Sequence, residues 1–282
     1  MQMFQTGKDR YPSQQDEAYA TINQRTLAFI VGLVALGLPT VLLIGAFNPV
    51  IDTCFRDSIS HFYYAPFWGG PFIGALVFIG TYMFVYQGED KHGSEARLSN
   101  FAGAFAFGVA LFPTAGHGCD ALSFRSRALA EFAPDPDLLD LIKTAPTDDR
   151  PDLTFYFELT SWSATVHYLS ATLLFCFLAW FALVVFTAVE EHQRNPDGSL
   201  KYTKIVRNRF YRICGAVMIL CILCMMTYAL LAHLTDLDLS WWAANNMPFW
   251  FEATALWAFG ISWIVKGRFF HRYLRDEAEQ RT

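Results

Sequence analysis

A stretch of 29 residues without Asp, Glu, Lys or Arg, residues 161–189, constrains the fold of this chain more than any other feature. A helix needs roughly 20 apolar residues to cross a bilayer core, so this stretch predicts a membrane-spanning helix. Four polar side chains in or next to it recur at spacings of three or four residues and share one helical face. They are Thr160, Ser163, His167 and Ser170. Because lipid penalises a polar face, we expect it to be turned towards other helices.

Apolar blocks of this kind recur along the chain. Hydrophobic residues make up 54% of the sequence, above the soluble average, and they come in blocks rather than in amphipathic patterns. The predicted spans are residues 27–47, 71–86, 100–115, 161–189, 211–233 and 247–265. The sequence therefore predicts an all-α fold, a polytopic membrane helix bundle with six transmembrane helices.

Positive charges are divided unevenly between the segments that join these spans. Sixteen of the 21 Lys and Arg residues fall in the tails and in the second and fourth loops, and five fall in the first and third loops. The positive-inside rule then places both termini in the cytoplasm of a bacterial-type plasma (inner) membrane. The expected organisation is a cytoplasmic tail at 1–26, a transmembrane domain at 27–266 with an extracytoplasmic loop at 116–160, and a cytoplasmic tail at 267–282.

The long loop and the third span carry two further predictions. The loop 116–160 is too long for a bare connection, and we expect short interfacial helices at residues 123–132 and 137–143. In the third span, Ala102, Ala106 and Ala110 recur every four residues. This spacing favours close helix packing within the bundle over a dimer interface.

Ionisable residues near the extracytoplasmic ends of the predicted spans suggest a polar site. They are His61, His117, Asp120, His167, His233 and Glu252. A charge in a bilayer costs about 2.5–3.5 kcal/mol even on a lenient scale, so these groups need partners. Imidazole and carboxylate together suit zinc or another divalent transition metal. The candidate metal ligands are His117, His167, His233 and Glu252, with His61 and Asp120 as further candidates.

Two other interpretations of these residues remain open. In the first, His167 and Glu252 hydrogen-bond to each other or to Ser and Thr across the bundle, and the other histidines lie at headgroup level. In the second, Ser58, Ser60 and His61 supply a nucleophilic dyad. No Gly-x-Ser-x-Gly motif is present, and proximity in sequence does not place a hydroxyl against an imidazole. The sequence therefore favours the metal site over the dyad.

Two of the six cysteines fall on the predicted extracytoplasmic side. Cys54 follows the first span and Cys119 follows the third. Disulfides persist in an oxidising compartment, and a bond here would close a loop of about 65 residues, worth roughly 4 kcal/mol in the chain-entropy model. Cys54 and Cys119 are therefore a candidate disulfide, and two unrelated thiols are the alternative.

Three stretches resemble segments of a family of uncharacterised bacterial multi-pass membrane proteins with six helices: SISHFYY at 58–64, GVALFPT at 108–114 and FGISWIVKG at 259–267. More distantly, serine and histidine before the second span, with further aspartate and histidines, are similar to the alkaline ceramidase and progestin-receptor type membrane hydrolases. That resemblance implies metal-dependent hydrolysis. That family places its serine and histidine four residues apart and ends on His-x-x-x-His, whereas Ser58 and His61 are three apart and no paired histidines follow.

Two classes of function follow from these features. The first is a membrane-embedded metal- or ligand-binding protein, in the form of a hydrolase. The second is a non-catalytic accessory subunit that packs against other membrane protein subunits. The lipid bilayer is the expected partner in both, and no stretch has the basic character of a nucleic-acid binding site.

Overall fold

Six long helices make up most of the described part of the chain. The computed structural model describes residues 14–48, 55–65, 67–86, 94–117, 123–125, 127–129, 156–158 and 162–267. Its long helices are α1 (Gln14–Ala46), α2 (Gly69–Val85), α3 (Ser94–Leu111), α4 (Ser163–Trp180), α5 (Tyr202–Leu234) and α7 (Met247–Lys266). Short helical elements are 3₁₀ turns at Ile59–Tyr64 and Glu191–Gln193, a π-helical turn at Phe181–Val185 that continues α4, and α6 (Ser240–Ala244).

The long helices close into a ring. In the order α1, α2, α3, α4, α5, α7, each helix packs against the next, and α7 packs against α1. The 3₁₀ helix Ile59–Tyr64 lies across one end of this ring, where it contacts α1, α2 and α7. It thereby brings the first loop next to the start of α7.

Three helical segments of the described chain are long and apolar enough to cross a membrane. They are Gln24–Ala46, Ser163–Val185 and Tyr202–Leu234, with mean hydropathies of 2.7, 2.2 and 2.4. The fold is therefore helical, as predicted, with candidate spans in the first, fourth and fifth predicted positions. α2 has 17 residues, and α3 carries Glu95 and Arg97 in its first turn. Six transmembrane helices remain a prediction.

Four short strands lie in or beside the predicted long loop. β1 (Ala115–His117) pairs antiparallel with β2 (Ser123–Arg125), and β3 (Arg127–Leu129) pairs antiparallel with β4 (Tyr156–Glu158). The prediction of a helix at 123–132 is therefore wrong for the described part of that segment. Pairing with a second strand overrides local helix propensity here. The predicted helix at 137–143 lies outside the described residues, as do Cys54, Cys119 and Asp120.

Small residues set the closest helix approaches. Ala102, Ala106 and Ala110 are buried in α3, which confirms that this row packs within the chain. A Cβ on Gly103 would lie 2.9 Å from the carbonyl oxygen of Gly80 in α2. The crossing of α1 and α7 is closer still, because a Cβ on Gly260 would lie 2.7 Å from the Gly32 carbonyl oxygen.

An aromatic core fills the ring near the C-terminal end of α7. Trp263 is fully buried, and its ring centroid lies 5.1 Å from that of Phe186 and 5.2 Å from that of Tyr82, both in edge-on geometry. Tyr86 and Phe259 add further ring contacts. Edge-to-face pairs of this kind stabilise a core beyond simple area burial, so these rings stabilise this end of the helix ring.

Candidate functional site

The 3₁₀ helix Ile59–Tyr64 begins with a serine cap. The Ser58 hydroxyl accepts a hydrogen bond from the Ser60 backbone N–H at 3.2 Å, and the Ser58 carbonyl accepts one from the His61 N–H at 3.2 Å. Serine is a preferred N-cap residue because its side chain satisfies an N–H group that the helix leaves without a partner. The sequence Asp-Ser-Ile-Ser-His therefore forms a tight turn that holds its polar side chains close together.

Glu252, in the second turn of α7, joins this turn to the helix ring. Its carboxylate accepts hydrogen bonds from the Ser58 hydroxyl at 3.0 Å and from the Ile59 backbone N–H at 2.6 Å. In return, the Asp57 carbonyl accepts the Phe249 N–H at 2.7 Å, one of the first-turn N–H groups that α7 cannot satisfy internally. Two helix N-termini thus supply acceptors for each other.

His167 and Ser60 form a hydrogen-bonded pair. His167 Nε2 lies 2.9 Å from Ser60 Oγ, and His167 Nδ1 lies 2.7 Å from the Phe112 carbonyl oxygen. A carbonyl oxygen only accepts, so Nδ1 carries the proton and the neutral ring has Nε2 as an acceptor. The Ser60 hydroxyl therefore donates to Nε2. This is the arrangement in which an imidazole can remove the proton of a serine hydroxyl.

A second histidine is paired with a carboxylate in the same turn. His61 Nδ1 donates to Asp57 Oδ1 at 2.5 Å, with 9% and 28% of the two side chains exposed. His61 also interacts electrostatically with both Glu252 and His167. Two carboxylates, two imidazoles and two hydroxyls therefore form one cluster, hereafter the Ser60 cluster: Asp57, Ser58, Ser60, His61, His167 and Glu252.

The polar face of α4 is buried, as predicted, for its described members. Ser163, His167 and Ser170 are all buried. Ser163 donates to the Pro113 carbonyl at 3.2 Å, and the Ser170 hydroxyl lies 2.4 Å from where a Cβ on Gly108 would stand. This face therefore packs along the end of α3 and fixes the position of His167 relative to the Phe112 carbonyl.

Access to the cluster comes from its rim. His61, His167 and Ser58 are buried, whereas Asp57, Ser60 and Glu252 are partly exposed. Ser60, which carries the hydroxyl that could react, is thus partly exposed, and the base that would activate it is buried. Burial of this kind strengthens the electrostatic interactions inside a site.

The structure brings together some of the predicted site residues. His61, His167 and Glu252 converge, and Glu252 and His167 each hydrogen-bond to a serine of the first loop, as the cross-bundle interpretation predicted. His233, by contrast, is exposed on the last turn of α5, and its convergence with the others stays a prediction. The side chain of His117 is outside the described part of the chain.

Only some of the predicted metal ligands lie close together in the described part of the structure. Among the residues that the structure describes, no group of three or more His, Cys, Asp or Glu side chains is arranged to hold a metal ion. Both Glu252 oxygens and both His167 ring nitrogens have protein partners. Because Asp120 and the His117 side chain lie outside the described residues, a zinc site that includes them remains a prediction.

Sequence reasoning missed one member of the cluster, one pairing and one backbone contact. Asp57 carries an i, i+4 relation to His61 that could have flagged it. The serine–histidine pair was sought within the first loop, but the histidine that meets Ser60 lies 107 residues away. The Phe112 carbonyl, which sets the His167 tautomer, has no side-chain signal in a sequence.

Replacing Glu252 by alanine should destabilise the fold by about 2–3 kcal/mol. The Ser58 hydroxyl and the Ile59 N–H, both in buried residues, would lose their acceptor. Thermal unfolding of the purified protein measures this loss. Glu252→Gln retains an acceptor oxygen and serves as the control, with a smaller expected loss. Equal unfolding temperatures for wild type, Glu252→Ala and Glu252→Gln would contradict this role of the carboxylate.

Comparisons of the chain with protein-family models, with curated proteins and with solved structures find no match.

Proposed function

We propose that this chain is a membrane-embedded serine hydrolase with Ser60 as the nucleophile and His167 as the general base. The observation that carries the proposal is the hydrogen bond from Ser60 Oγ to His167 Nε2, with Nδ1–H held by the Phe112 carbonyl. A nucleophile, a base and a group that orients the base are the three parts that nucleophilic catalysis requires. This function differs from the metal-dependent chemistry expected from the sequence. The hydrogen bonds of the described residues support a serine–histidine dyad more directly than a metal site.

The reaction proposed is acyl transfer to water. The Ser60 hydroxyl attacks the acyl carbon of an ester or amide while its proton passes to His167 Nε2. The leaving alcohol or amine takes that proton as its bond to the acyl carbon breaks. Water then attacks the acyl-serine, gives a proton to His167, and the released serine oxygen recovers it. His167 thus serves as base and then as acid in each half of the reaction.

The other members of the Ser60 cluster position the nucleophile. Glu252 holds Ser58 and Ile59, and so fixes the start of the 3₁₀ helix on which Ser60 lies. His61 follows Ser60 directly in the sequence and pairs with Asp57, three residues before Ser60. This pair can interact with a polar substrate group. The substrate class proposed is an acyl lipid, since the site opens at the end of an apolar helix ring.

Covalent labelling of Ser60 tests this proposal without knowledge of the substrate. A fluorophosphonate reagent forms a bond from phosphorus to the serine oxygen as fluoride leaves, and it reacts only with an activated serine. We expect one label on the wild-type protein, mapped to Ser60 by peptide mass spectrometry. Ser60→Ala should lose the label. Ser199→Ala, an exposed serine in the segment before α5, should keep it.

Wild-type protein that takes no label, or Ser60→Ala protein that labels as wild type does, would end the hydrolase proposal. An absence of label together with stable co-purification of other membrane proteins would favour the accessory-subunit alternative. Stoichiometric metal in the purified protein, lost in His167→Ala, would instead favour the metal-dependent form of the site.

We also propose that all six long helices span a bacterial inner membrane with both termini in the cytoplasm. The distribution of Lys and Arg supports this orientation. Bilayer lipid would also cover large apolar side chains that α5 leaves exposed, such as Ile213, Leu220 and Leu223. The Ser60 cluster would then lie at the outer face.

Cysteine labelling in intact cells tests the orientation. In a background that lacks the native cysteines, we expect an impermeant thiol reagent to modify Leu237→Cys and to spare Pro196→Cys. Both positions are exposed and flank α5 on opposite ends. The reverse pattern would show that the orientation is inverted, and labelling of both would show that α5 does not cross.

A further inference from the structure

A cavity of about 180 Å³ lies at the other end of the helix ring from Ser60. Val185, which lines the cavity, comes 18 positions after His167 along α4 and its π-helical continuation. At 1.5 Å per residue this is about 27 Å along the helix. The cavity is therefore separate from the Ser60 cluster. Its charged lining residues come from α3, α5, α7 and the segment after α4: Glu95, Glu190, Lys204, Arg207 and Lys266.

Three cations converge on this cavity, although two of them are almost fully buried. Lys204 and Arg207 are 4% and 1% exposed, and their spacing of three residues places them on one face of α5. Lys204 Nζ donates to the Phe186 and Ala188 carbonyls at 3.1 and 2.5 Å, at the end of the α4 continuation. Lys266 Nζ lies 5.3 Å from the centroid of the Phe186 ring.

The lining carries more positive than negative charge. Three cationic side chains face two carboxylates, Glu95 and Glu190. A cavity lined mainly by cationic side chains has a positive potential, which attracts anions. The volume is below the 300–1,000 Å³ typical of sites for drug-sized ligands, which favours a small anionic group.

We propose that this cavity binds a phosphate group, carried by an anionic phospholipid or free in solution. Arginine matches phosphate oxygens with a planar pair of donors and lysine contributes a compact charge. The cavity lies at the end of the ring where Lys and Arg are concentrated in the flanking segments. Basic pockets between transmembrane helices on the cytoplasmic side are a recurrent type of site for anionic lipid headgroups.

Ligand-dependent unfolding temperature tests the proposal. Full-length protein in detergent, stripped of co-purified lipid, is titrated separately with phosphatidylglycerol, with zwitterionic phosphatidylcholine and with inorganic phosphate, the last against chloride at equal ionic strength. We expect phosphatidylglycerol or phosphate to raise the unfolding temperature, since a ligand that binds only the folded state stabilises it. Phosphatidylcholine should have a much smaller effect.

Charge-removing variants assign the effect to the cavity. Arg207→Gln and Lys266→Gln should each weaken the apparent affinity roughly tenfold or more, as expected for loss of one charge-assisted hydrogen bond. Arg209→Gln is the matched control, because Arg209 is exposed on the same helix and does not line the cavity. If Arg207→Gln does not fold, Lys266→Gln, at the last position of α7, carries the test alone.

Each outcome has a definite meaning. Stabilisation by phosphatidylglycerol alone assigns the site to a lipid headgroup, and stabilisation by phosphate as well assigns it to the free anion. Equal effects of both lipids with no effect of phosphate would overturn the proposal. So would a Lys266→Gln response identical to that of the wild type and of Arg209→Gln.

Discussion

Replacing His167 by glutamine should slow the acylation of Ser60 by about 10²–10⁴-fold, the range that general base catalysis contributes. A glutamine amide oxygen can accept the Ser60 hydrogen bond, but it cannot take the proton as the new bond forms. The measurement is the rate at which a fluorophosphonate reagent modifies Ser60, followed by intact mass at several reagent concentrations.

The pH dependence of that rate separates catalysis from a structural effect. In the wild-type protein the rate should fall as the pH is lowered through the titration of the imidazole, because a protonated Nε2 cannot accept the serine proton. In His167→Gln this dependence should disappear. His233→Gln is the matched control, since His233 is exposed, and it should retain both rate and profile. A wild-type rate in His167→Gln would show that the hydrogen bond is only a structural contact.

Gly260→Leu should prevent the chain from folding into a stable, monodisperse protein. α1 and α7 approach so closely at this point that a Cβ on Gly260 would lie 2.7 Å from the Gly32 carbonyl oxygen and 2.9 Å from the Leu36 backbone nitrogen. Backbone atoms cannot rotate away as a side chain can. Even Gly260→Ala should cost about 1–3 kcal/mol, and leucine adds a bulk that only helix separation can accommodate.

Size-exclusion profile and unfolding temperature of the purified variants measure this effect. Gly74→Leu is the control, because no atom lies within 4 Å of a Cβ at that position, and it should behave as the wild type does. Separation of α7 from α1 would also move Glu252 away from Ser58, so we expect any residual Gly260→Ala protein to label more slowly at Ser60. A monodisperse Gly260→Leu protein with the wild-type unfolding temperature would contradict the close crossing.

Helix positions were largely predictable because they depend on local chemistry. Apolar blocks located all six long helices within a few residues at most ends, and the main differences were polar extensions. α1 and α5 begin 13 and 9 residues before their predicted spans, at Gln14 and Tyr202. Hydropathy finds the apolar segment, whereas backbone hydrogen bonding continues through polar residues such as Lys204 and Arg207. The short strands at 123–125 and 127–129 were not predictable, because each forms only by pairing with a second short strand.

The candidate site was predictable only in its parts. Helical periodicity was enough to place Ser163, His167 and Ser170 on one buried face, since that property depends on spacing alone. Spacing could not show that His233 is exposed. α5 is apolar on several faces, so its composition does not indicate which face packs inward. Ionisable residues at a similar depth in the predicted spans suggested a cluster. They did not indicate which side chains are in contact.

The amino-acid sequence by itself determined an apolar helical chain with a polar face on α4 and an excess of positive charge in alternate connecting segments. Hydropathy, periodicity and charge are all read from near neighbours. Tertiary structure alone decided that Ser60 meets His167 across 107 residues and that Ser58 meets Glu252 across 194. Closure of the helix ring brings these distant positions together, and the Phe112 carbonyl then selects the His167 tautomer that leaves Nε2 as an acceptor for Ser60.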